Sequence, residues 1–386
     1  MTDELRDVAV VGGGPAGLVA ALLARHKGAS VTLIAPKSPP RDERTVAMLG
    51  ASVDILRQTG VWPALESRSA PLRTMRIVDA TRRLIRAPLV EFHAHEVERE
   101  AFGYNIPNAI LIAALDEAIE QAGIERVTGF AAEIEPLEDQ VRIVTTDGLE
   151  VRSRLLGAAD GRRSRAREAS GLSVRSWSYP QSALVANIAH SRPHDDVSTE
   201  FHTETGPFTI VPMPGLRSAI VCVESPAEAE RLSNLDDEAL AAEFERRSRS
   251  IVGKITIAGG RQVFPLSGQT ARHFAARRIA LIGEAAHVFP PIGAQGLNLG
   301  LRDAAAFAAV VGDHRADPGS AEAIAAYDNA RTGDILSRTT AVDALNRTLL
   351  TDFLPVQALR GVGLFAIDRL PKLKRLVMRQ GLTPHL

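Results

Sequence analysis

The segment 283–303, GEAAHVFPPIGAQGLNLGLRD, contains the residues of the chain that are most informative chemically. It follows an apolar run at 278–282 that predicts a buried strand. The carboxylate of Glu284 comes directly after this strand and can accept hydrogen bonds from ligand hydroxyls. Further along, a predicted helix start at Gln295 to Asn298 supplies first-turn N–H donors, which can point at carbonyl oxygens or at developing negative charge. The segment therefore predicts a ligand with hydroxyl groups and a polar ring edge.

A second segment has the spacing G-x-G-x-x-G. It lies between a predicted strand at 8–11 and a predicted helix at 18–26, which is the setting that this pattern requires. Gly12 permits the tight turn, Gly14 lets a pyrophosphate approach the backbone, and Gly17 allows close packing of helix on strand. The positive end of the helix favours phosphates. This context predicts a dinucleotide site rather than only a glycine-rich turn.

One feature of the dinucleotide pattern is missing. The next predicted strand, at 30–34, should end in an acidic residue that holds the adenosine ribose, but Ala35 stands there. The ribose is therefore expected to be held by another group. Lys37 is a candidate, although a solvated loop lysine is the favoured interpretation.

A third segment, around Asp160-Gly161, follows a run of small residues. Taken alone it predicts a surface turn, because Asp-Gly is a common turn dipeptide. Its position between the other two segments gives it a second interpretation, as part of the same site.

The three segments, in this order, resemble those of the class A FAD-dependent monooxygenases, which are aromatic hydroxylases with a glutathione-reductase-like flavin fold. The dinucleotide loop, Asp-Gly motif and Gly-Asp motif of that family correspond to 12–17, 160–161 and 283–284. The ubiquinone-biosynthesis hydroxylases are the most similar subgroup, on the residues at 42–48, 206–208 and 293–298.

Two positions depart from the pattern of the subgroup. Glu284 stands where Asp is usual, which keeps the charge and adds one methylene. The run at 289–296, FPPIGAQG, replaces the usual His-Pro-Leu-Ala-Gly-Gln-Gly and is also similar to the para-hydroxybenzoate hydroxylase branch. The substrate ring is therefore left open.

The resemblance implies an α/β fold. A glutathione-reductase-like, FAD-binding Rossmann domain is expected to carry a substrate domain with a mostly antiparallel β-sheet, followed by C-terminal helices. The FAD-binding domain is expected to be discontinuous, at 1–75, 100–180 and 267–325. The substrate domain is expected at 76–99 and 181–266, and the helical region at 326–386.

The resemblance also implies FAD as cofactor, O₂ as oxidant, and either NAD(P)H or a protein donor as the source of electrons. Oxygen transfer in the family proceeds through a C4a-hydroperoxyflavin, so the protein has to exclude water, stabilise charge near flavin N1 and position the ring. The expected FAD ligands are Gly12, Gly14, Pro15, Ala16, Gly17, Arg44, Asp160, Gly283, Glu284, Pro291, Gly293, Gln295, Gly296, Leu297 and Asn298.

No side chain is assigned to catalysis, because the flavin performs the difficult step. Two residues are candidates: His287 as an acid or base, and Gln295 as a contact to flavin or substrate. For His287 a local hydrogen bond or packing is the favoured interpretation. No metal site is expected, because the spacing of the other histidines does not match that of metal ligands.

The expected activity is hydroxylation of the aromatic ring of a hydrophobic, polyprenylated phenol in ubiquinone biosynthesis. Three alternatives stay open. They are a flavin-dependent reductase of an isoprenoid substrate, a hydroxylase of a small phenolic acid, and a non-catalytic subunit. Membership of a multi-protein biosynthetic complex is also compatible with the sequence.

Composition limits the partners and the compartment. With 45 basic and 46 acidic residues, the chain has no general excess of positive charge for nucleic acid. Cys222 is the single cysteine, which excludes an intrachain disulfide and suits the cytoplasm, and its apolar surroundings predict a packed thiol. The segment 349–383 mixes leucines and phenylalanines with basic residues. It predicts either a helical cap over the core or a surface resting on the inner face of an anionic membrane.

Further elements follow from periodicity. Alternating patterns separated by turn residues predict the strands of the substrate sheet at 184–188, 199–202, 208–211, 218–223 and 262–264. Amphipathic patterns predict helices at 107–121, 236–247 and 301–311, and helix throughout after 321. A crossover segment at 82–95 is expected to join the substrate layer.

Overall fold

The computed structural model describes residues 4–37, 43–81, 88–290 and 294–350, with only the backbone of 339–350, and also residues 369, 374, 375 and 378. Within these residues the strands are β1 Arg6–Val11, β2 Val31–Ile34, β3 Thr45–Leu49, β4 Ala70–Pro71, β5 Thr74–Asp79, β6 Val90–His93, β7 Gly103–Pro107, β8 Glu125–Val127, β9 Ala131–Pro136, β10 Val141–Thr145, β11 Glu150–Ala158, β12 Val174–His190, β13 Val197–His202, β14 Pro207–Met213, β15 Arg217–Glu224, β16 Ile255–Ala271, β17 Ala275–Ala276, β18 Ile279–Leu281 and β19 His287–Val288.

The helices lie mostly between strands of the first sheet and after the last strand. They are α1 Pro15–His26, α2 Gly50–Gln58, α3 Trp62–Glu66, α4 Asn108–Gln121, α5 Arg165–Ala169, α6 Pro226–Ser233, α7 Asp237–Arg247, α8 Gln295–Asp313 and α9 Ala321–Leu350. Two single 3₁₀ turns occur at Ala94–Val97 and Gly283–Ala285.

The first sheet has the order β17-β18-β11-β1-β2-β8, and β10 and β9 continue from β11 as an antiparallel flap. The pairs β18–β11, β11–β1, β1–β2 and β2–β8 are all parallel. Helices α1, α4 and α8 cover this sheet, and the inner residues of α1 and β1 are almost completely buried. This is the expected Rossmann architecture, in which crossover helices connect parallel strands.

The second sheet has the order β19-β16-β12-β15-β14-β13-β5-β6. All of its pairs are antiparallel except β13 with β5, so the expected, mostly antiparallel sheet is confirmed. Helices α6 and α7 cover one face, where Phe201, Phe208 and Phe244 form a buried aromatic group. A small third sheet has the order β3-β7-β4.

Within the described residues the predicted elements are present, and several are longer than their patterns suggested; the helix predicted after 321 is described as far as Leu350, and the rest of that prediction lies outside the described residues. The strands at 184–188 and 262–264 are parts of the 17-residue strands β12 and β16. These two pair along most of their length through two register shifts, which interrupt the alternation that a sequence pattern detects. Both also run past the predicted limits at 180 and 266; the division into domains itself stays a prediction.

Helix α8 begins at Gln295, where the sequence predicted its first turn. The apolar pattern at 301–311 covers only the later part of the helix, because the first turn is polar and contains glycine. The amphipathic helix at 236–247 is confirmed as α7, because Asp236 caps it by accepting from the Ala239 N–H at 2.7 Å. Residues 82–87 of the crossover lie outside the described residues, whereas β6 joins the second sheet beside β5.

Candidate functional site

The three sequence segments come together at one edge of the first sheet. They follow β1, β11 and β18, which are adjacent and parallel, with Val11, Ala158 and Leu281 in register. Hydrogen bonds continue past the strand ends, from Ala159 N–H to the Val11 carbonyl and from Ile282 N–H to the Ala158 carbonyl, both at 2.8 Å. Because ligands of open α/β sheets bind beyond the carboxyl ends of the strands, this edge is the candidate site.

The dinucleotide loop has the shape that its glycines suggested. A Cβ on Gly12 would lie 2.1 Å from the Ala159 carbonyl oxygen, and the φ of Gly12 is +120°. A Cβ on Gly17 would lie 2.2 Å from the Gly12 oxygen. Gly14, in contrast, precedes α1 with no atom within 4 Å of its Cβ position, and Pro15 opens the helix. The loop is therefore tight at both ends and open in the middle, in front of the positive end of α1.

The end of β2 has no acidic group for a ribose. Ala35 is buried, and a Cβ on Gly13 would lie 3.0 Å from the Ala35 Cβ, so this position packs against the loop. The Lys37 ammonium lies 3.6 Å from the Glu120 carboxylate, and both side chains are exposed. This placement agrees with the solvated loop lysine that the sequence favoured.

Asp160 caps the short helix after the Asp-Gly turn. Its Oδ2 accepts from the Ala166 N–H at 3.1 Å, while its Oδ1 is buried without a hydrogen-bond partner. Gly161 has a φ of +82°, which only glycine adopts readily. An unsatisfied buried carboxylate oxygen at this edge is compatible with a ligand or a bound water.

Arg167 connects the Asp-Gly turn to the Gly-Glu turn. Its guanidinium is buried and donates to the Ala285 carbonyl at 2.8 Å and to the Arg162 carbonyl at 3.0 Å. Sequence reasoning missed this residue, since an arginine in an arginine-rich turn gives no sign that it points inward.

The Gly-Glu turn presents Glu284 outward. Gly283 has a φ of +62°, and its N–H donates to the buried carboxylate of Asp303 in α8 at 2.9 Å. The Glu284 side chain is exposed. A Cβ on Gly300 would lie 3.2 Å from the Gly283 Cα and 3.3 Å from the Ala16 Cβ. Small residues therefore let α1, α8 and the turn meet closely at the site.

His287 is an interior residue, which favours the packing interpretation over the acid–base one. Its side chain is fully buried, and its Nε2 lies 2.7 Å from Asp303 Oδ2. Burial opposes ionisation of Asp303, but His287 and Arg331 keep the pKa of that carboxyl below its ordinary value. The buried contact to Asp303 supports the local hydrogen bond that the sequence favoured for His287, and the acid–base role stays a prediction.

The start of α8 brings together the remaining predicted ligands. Ala294 has a left-handed conformation with φ +54°, which turns the chain into the helix. Gly296 is exposed, and no atom lies within 4 Å of its Cβ position. The Leu297 side chain is half-buried. Pro291 and Gly293 lie outside the described residues.

The Asn298 side chain has a structural role that the sequence did not indicate. Its Nδ2 donates to the carbonyls of Ala47 and Ala294 at 2.8 and 2.6 Å, and its Oδ1 accepts from the Leu49 N–H at 2.8 Å. The amide thus fastens β3 to α8. Only its backbone N–H can then serve as a first-turn donor towards a ligand.

Arg44 lies at the junction with the second sheet. Its guanidinium is 5.7 Å from the ring centroid of Phe264 in β16. The neighbouring Glu43 accepts from the Gly260 N–H at 2.7 Å, and its carbonyl accepts from Asn187 at 2.8 Å. The segment that precedes β3 is therefore attached to β12 and β16.

The face of the second sheet that α6 and α7 leave uncovered is largely apolar. Register places Val185, Val211 and Val221 on this face, with partly buried side chains, and Phe264 there is 36% exposed. The small sheet contacts the same part of the molecule, since Asn105 in β7 donates to the Pro212 carbonyl at 2.8 Å. An apolar, partly open surface thus lies beside the segment that carries Arg44.

The described residues of the C-terminal segment contact the 92–97 region. Lys374 lies 2.8 Å from the Glu96 carboxylate and 5.7 Å from the centroid of the Phe92 ring. Met378 is buried against Ala94 and Phe102. No helix in the described part of the chain is long and apolar enough to cross a membrane. Among the same residues, no group of histidines, cysteines and carboxylates has the arrangement of a metal site.

The geometry fits FAD. The space at Gly14, the unpartnered oxygen of Asp160, the outward carboxylate of Glu284 and the start of α8 follow one edge of the parallel sheet. The fold and site define an FAD-binding flavoprotein, and the family model described as an FAD binding domain matches residues 6–335.

Comparison with similar proteins identifies the family within this class to which the chain belongs. The chain is 34% identical to the ubiquinone hydroxylase UbiL of Rhodospirillum rubrum, over 98% of this chain and 90% of that protein. It is 30% identical to the 3-demethoxyubiquinol 3-hydroxylase of Escherichia coli, over 99% and 100% of the two chains. The chain therefore belongs to the ubiquinone hydroxylase family of FAD-dependent monooxygenases.

A solved structure supports the fold. The p-nitrophenol 4-monooxygenase PnpA from Pseudomonas putida DLL-E4 superposes with a TM-score of 0.79 over 99% of both chains, at 18% identity. At that identity the likeness establishes the architecture alone.

Membership of the family gives FAD as the cofactor and O₂ as the oxidant.

Proposed function

We propose that this enzyme hydroxylates the aromatic ring of a polyprenylated phenol in ubiquinone biosynthesis. The observation that carries the proposal is full-length similarity to two hydroxylases whose names specify ubiquinone or its precursor. The apolar uncovered face of the second sheet supports it, because a prenylated ring needs an apolar surface.

We assign the FAD contacts from the geometry of the site. The loop at 12–17, with Pro15 and Ala16, surrounds the pyrophosphate, and Asp160 orders the same region. Glu284 accepts from a ribityl hydroxyl. The first turn of α8 donates backbone N–H groups to the polar edge of the flavin ring, where its partial positive charge favours the reduced cofactor.

When bound, FAD would supply the redox chemistry: two electrons from the donor would reduce O₂, one oxygen atom would enter the ring and the other would leave as water. The residues of this chain contribute by binding, orienting and excluding water. The apolar face with Val185, Val211 and Val221 positions the substrate and keeps water away from the flavin edge. NAD(P)H, docking in the same cleft, is the proposed electron donor; a protein donor is the alternative.

The test is incubation of the purified enzyme with FAD, NAD(P)H and the prenylated phenol that accumulates when the gene is deleted. Under ¹⁸O₂ we expect one labelled oxygen atom in the product. Unlabelled, saturated product would instead establish the isoprenoid reductase. Turnover of small phenolic acids with no turnover of the prenylated phenol would establish the second alternative, a hydroxylase of a small phenolic acid.

We also propose that the enzyme works at the inner face of the membrane, where a prenylated substrate resides, and as part of a biosynthetic complex. The basic and apolar residues of 349–383 support the membrane contact. Lys374 is not available for it in this arrangement, since it pairs with Glu96. Co-purification from gently solubilised membranes tests the complex.

A further inference from the structure

Three arginines surround one carboxylate between α8 and α9. Arg302, Arg331 and Arg338 lie 3.0, 2.9 and 3.0 Å from the carboxylate oxygens of Asp334. All four side chains are at most 17% exposed. We refer to these four residues as the arginine cluster.

The arginine cluster connects two parts of the proposed FAD site. At one end Arg331 donates to Asp303 at 2.7 Å, and Asp303 in turn accepts from the Gly283 N–H of the Gly-Glu turn. At the other end Arg338 donates to Gln295 Oε1 at 3.1 Å, in the first turn of α8. A continuous series of charged hydrogen bonds and ion contacts thus runs from the ribityl end of the site to its ring end.

The contact to Arg338 fixes the orientation of the Gln295 amide. A guanidinium can only donate, so the oxygen of the amide faces Arg338 and its NH₂ group faces the opposite way. The residue that opens α8 therefore presents its oxygen to α9 and its donor side away from α9.

The arginine cluster also carries excess positive charge. Its three guanidiniums are balanced by Asp334 and, through Arg331, by Asp303, which leaves one positive charge (3 − 2 = 1) without counting His287. Burial lowers the pKa of Arg302 to about 10, so it stays protonated at neutral pH. The excess charge lies next to the first turns of α8, whose N-terminal end is itself positive.

We propose that the arginine cluster positions the first turn of α8 and raises the reduction potential of the bound flavin. Arg338 is a positioning residue, acting through Gln295, and the cluster's excess positive charge favours the reduced, more negatively charged form of the cofactor. The inference rests on the proposed placement of the flavin ring edge at the start of α8.

The test is to measure the midpoint potential of enzyme-bound FAD in variants that change the charge of the arginine cluster in opposite directions. Arg338→Gln removes one positive charge, so the ratio of reduced to oxidised FAD at a fixed potential should fall about tenfold, which is about 30 mV for a two-electron couple. Asp334→Asn removes a negative charge and should raise the ratio of reduced to oxidised FAD. Arg338→Lys keeps the charge, so its midpoint potential should stay near that of the parent.

Arg231→Gln is the matched control, because Arg231 forms an exposed pair with Glu228 on α6 and should leave the potential unchanged. If the midpoint potential shifted with the same sign in Arg338→Gln and Asp334→Asn, the cause would be a general loss of packing around the flavin, and the inference would be overturned. An unchanged potential in both variants would also overturn it. Should Asp334→Asn fail to fold, Arg302→Gln and Arg302→Lys replace it: the potential should fall in the first and stay near that of the parent in the second, and equal falls in both would overturn the inference.

The two proposals fail separately. The potential is measured without substrate, so absence of ring hydroxylation leaves the predicted shifts intact. Conversely, normal ¹⁸O incorporation with unchanged potentials would refute the role of the arginine cluster and leave the proposed function standing.

Discussion

At the scale of single residues, Gly12 and Gly14 differ in why they are glycines. Gly12 has a positive φ, and a Cβ at this position would clash with the Ala159 carbonyl. Gly14 has an ordinary φ of −75°, and a Cβ there would enter open space. Gly12 is therefore required for the conformation of the loop, whereas Gly14 is required for space in which the ligand can bind. Their substitution should therefore separate stability from FAD binding.

We predict that Gly14→Val yields a folded apoprotein that does not retain FAD, because the branched side chain fills the pyrophosphate approach. Gly12→Val should instead destabilise the apoprotein itself. Thermal unfolding of the apoproteins and the flavin absorbance of the purified proteins check both. A yellow Gly14→Val protein would contradict the assignment of the loop.

Glu284→Ala should weaken FAD binding by about 1–3 kcal/mol, the usual loss when a hydrogen bond to a charged group is removed. Isothermal titration of the apoprotein with FAD gives the value. Glu284→Asp is the control, since it keeps the charge at a shorter reach and introduces the residue usual in the family. Equal affinity of Glu284→Ala and the parent would remove Glu284 from the site.

Cys222 should be unreactive in the native protein. It is fully buried in β15, and burial raises the pKa of its thiol to about 12, so almost no thiolate exists at pH 8. Labelling with a thiol-specific disulfide reagent should occur only as rapidly as the protein unfolds, and immediately in denaturant. Rapid labelling of the native protein would show that this strand is open.

At the scale of elements, α8 is held at its first turn by β3. The Asn298 amide satisfies the Leu49 N–H and the Ala47 carbonyl, so its loss leaves buried backbone groups unpaired.

We predict that Asn298→Ala lowers the free energy of unfolding by about 1–3 kcal/mol and also lowers the affinity for FAD. Denaturant unfolding of the apoprotein measures the first effect. Asp236→Ala, at the cap of the distant α7, should cost about 1 kcal/mol and leave FAD binding unchanged. Loss of FAD without loss of stability in Asn298→Ala would mean that the side chain contacts the cofactor directly.

The elements show what sequence can predict. The glycine spacing predicted the loop after β1, since its reasons are local. The extension of β12 and β16 to 17 residues each was missed, because pairing across the sheet rather than periodicity decides it, whereas the first turn of α8 was predicted at Gln295 to Asn298. Arg167, Asp303 and the arginine cluster were not identified as important, because their burial depends on partners up to 118 residues away.

At the scale of the whole molecule, the proposed prenylated substrate is expected to reach the enzyme from a membrane. We predict that the protein floats with anionic liposomes at low salt and is released at high salt, through basic residues in 349–383. Neutral liposomes are the control. Absence of binding at low salt would discard the membrane contact while leaving the hydroxylation untouched.

The site depends on strands that are far apart in the chain, since β1 begins at Arg6 and β18 ends at Leu281, with α8 beginning only at Gln295. During synthesis on the ribosome, the N-terminal loop therefore emerges long before its partners. We therefore expect the nascent chain to bind no flavin until the first turn of α8 has also been translated, so that cofactor loading follows the synthesis of every segment of the proposed site.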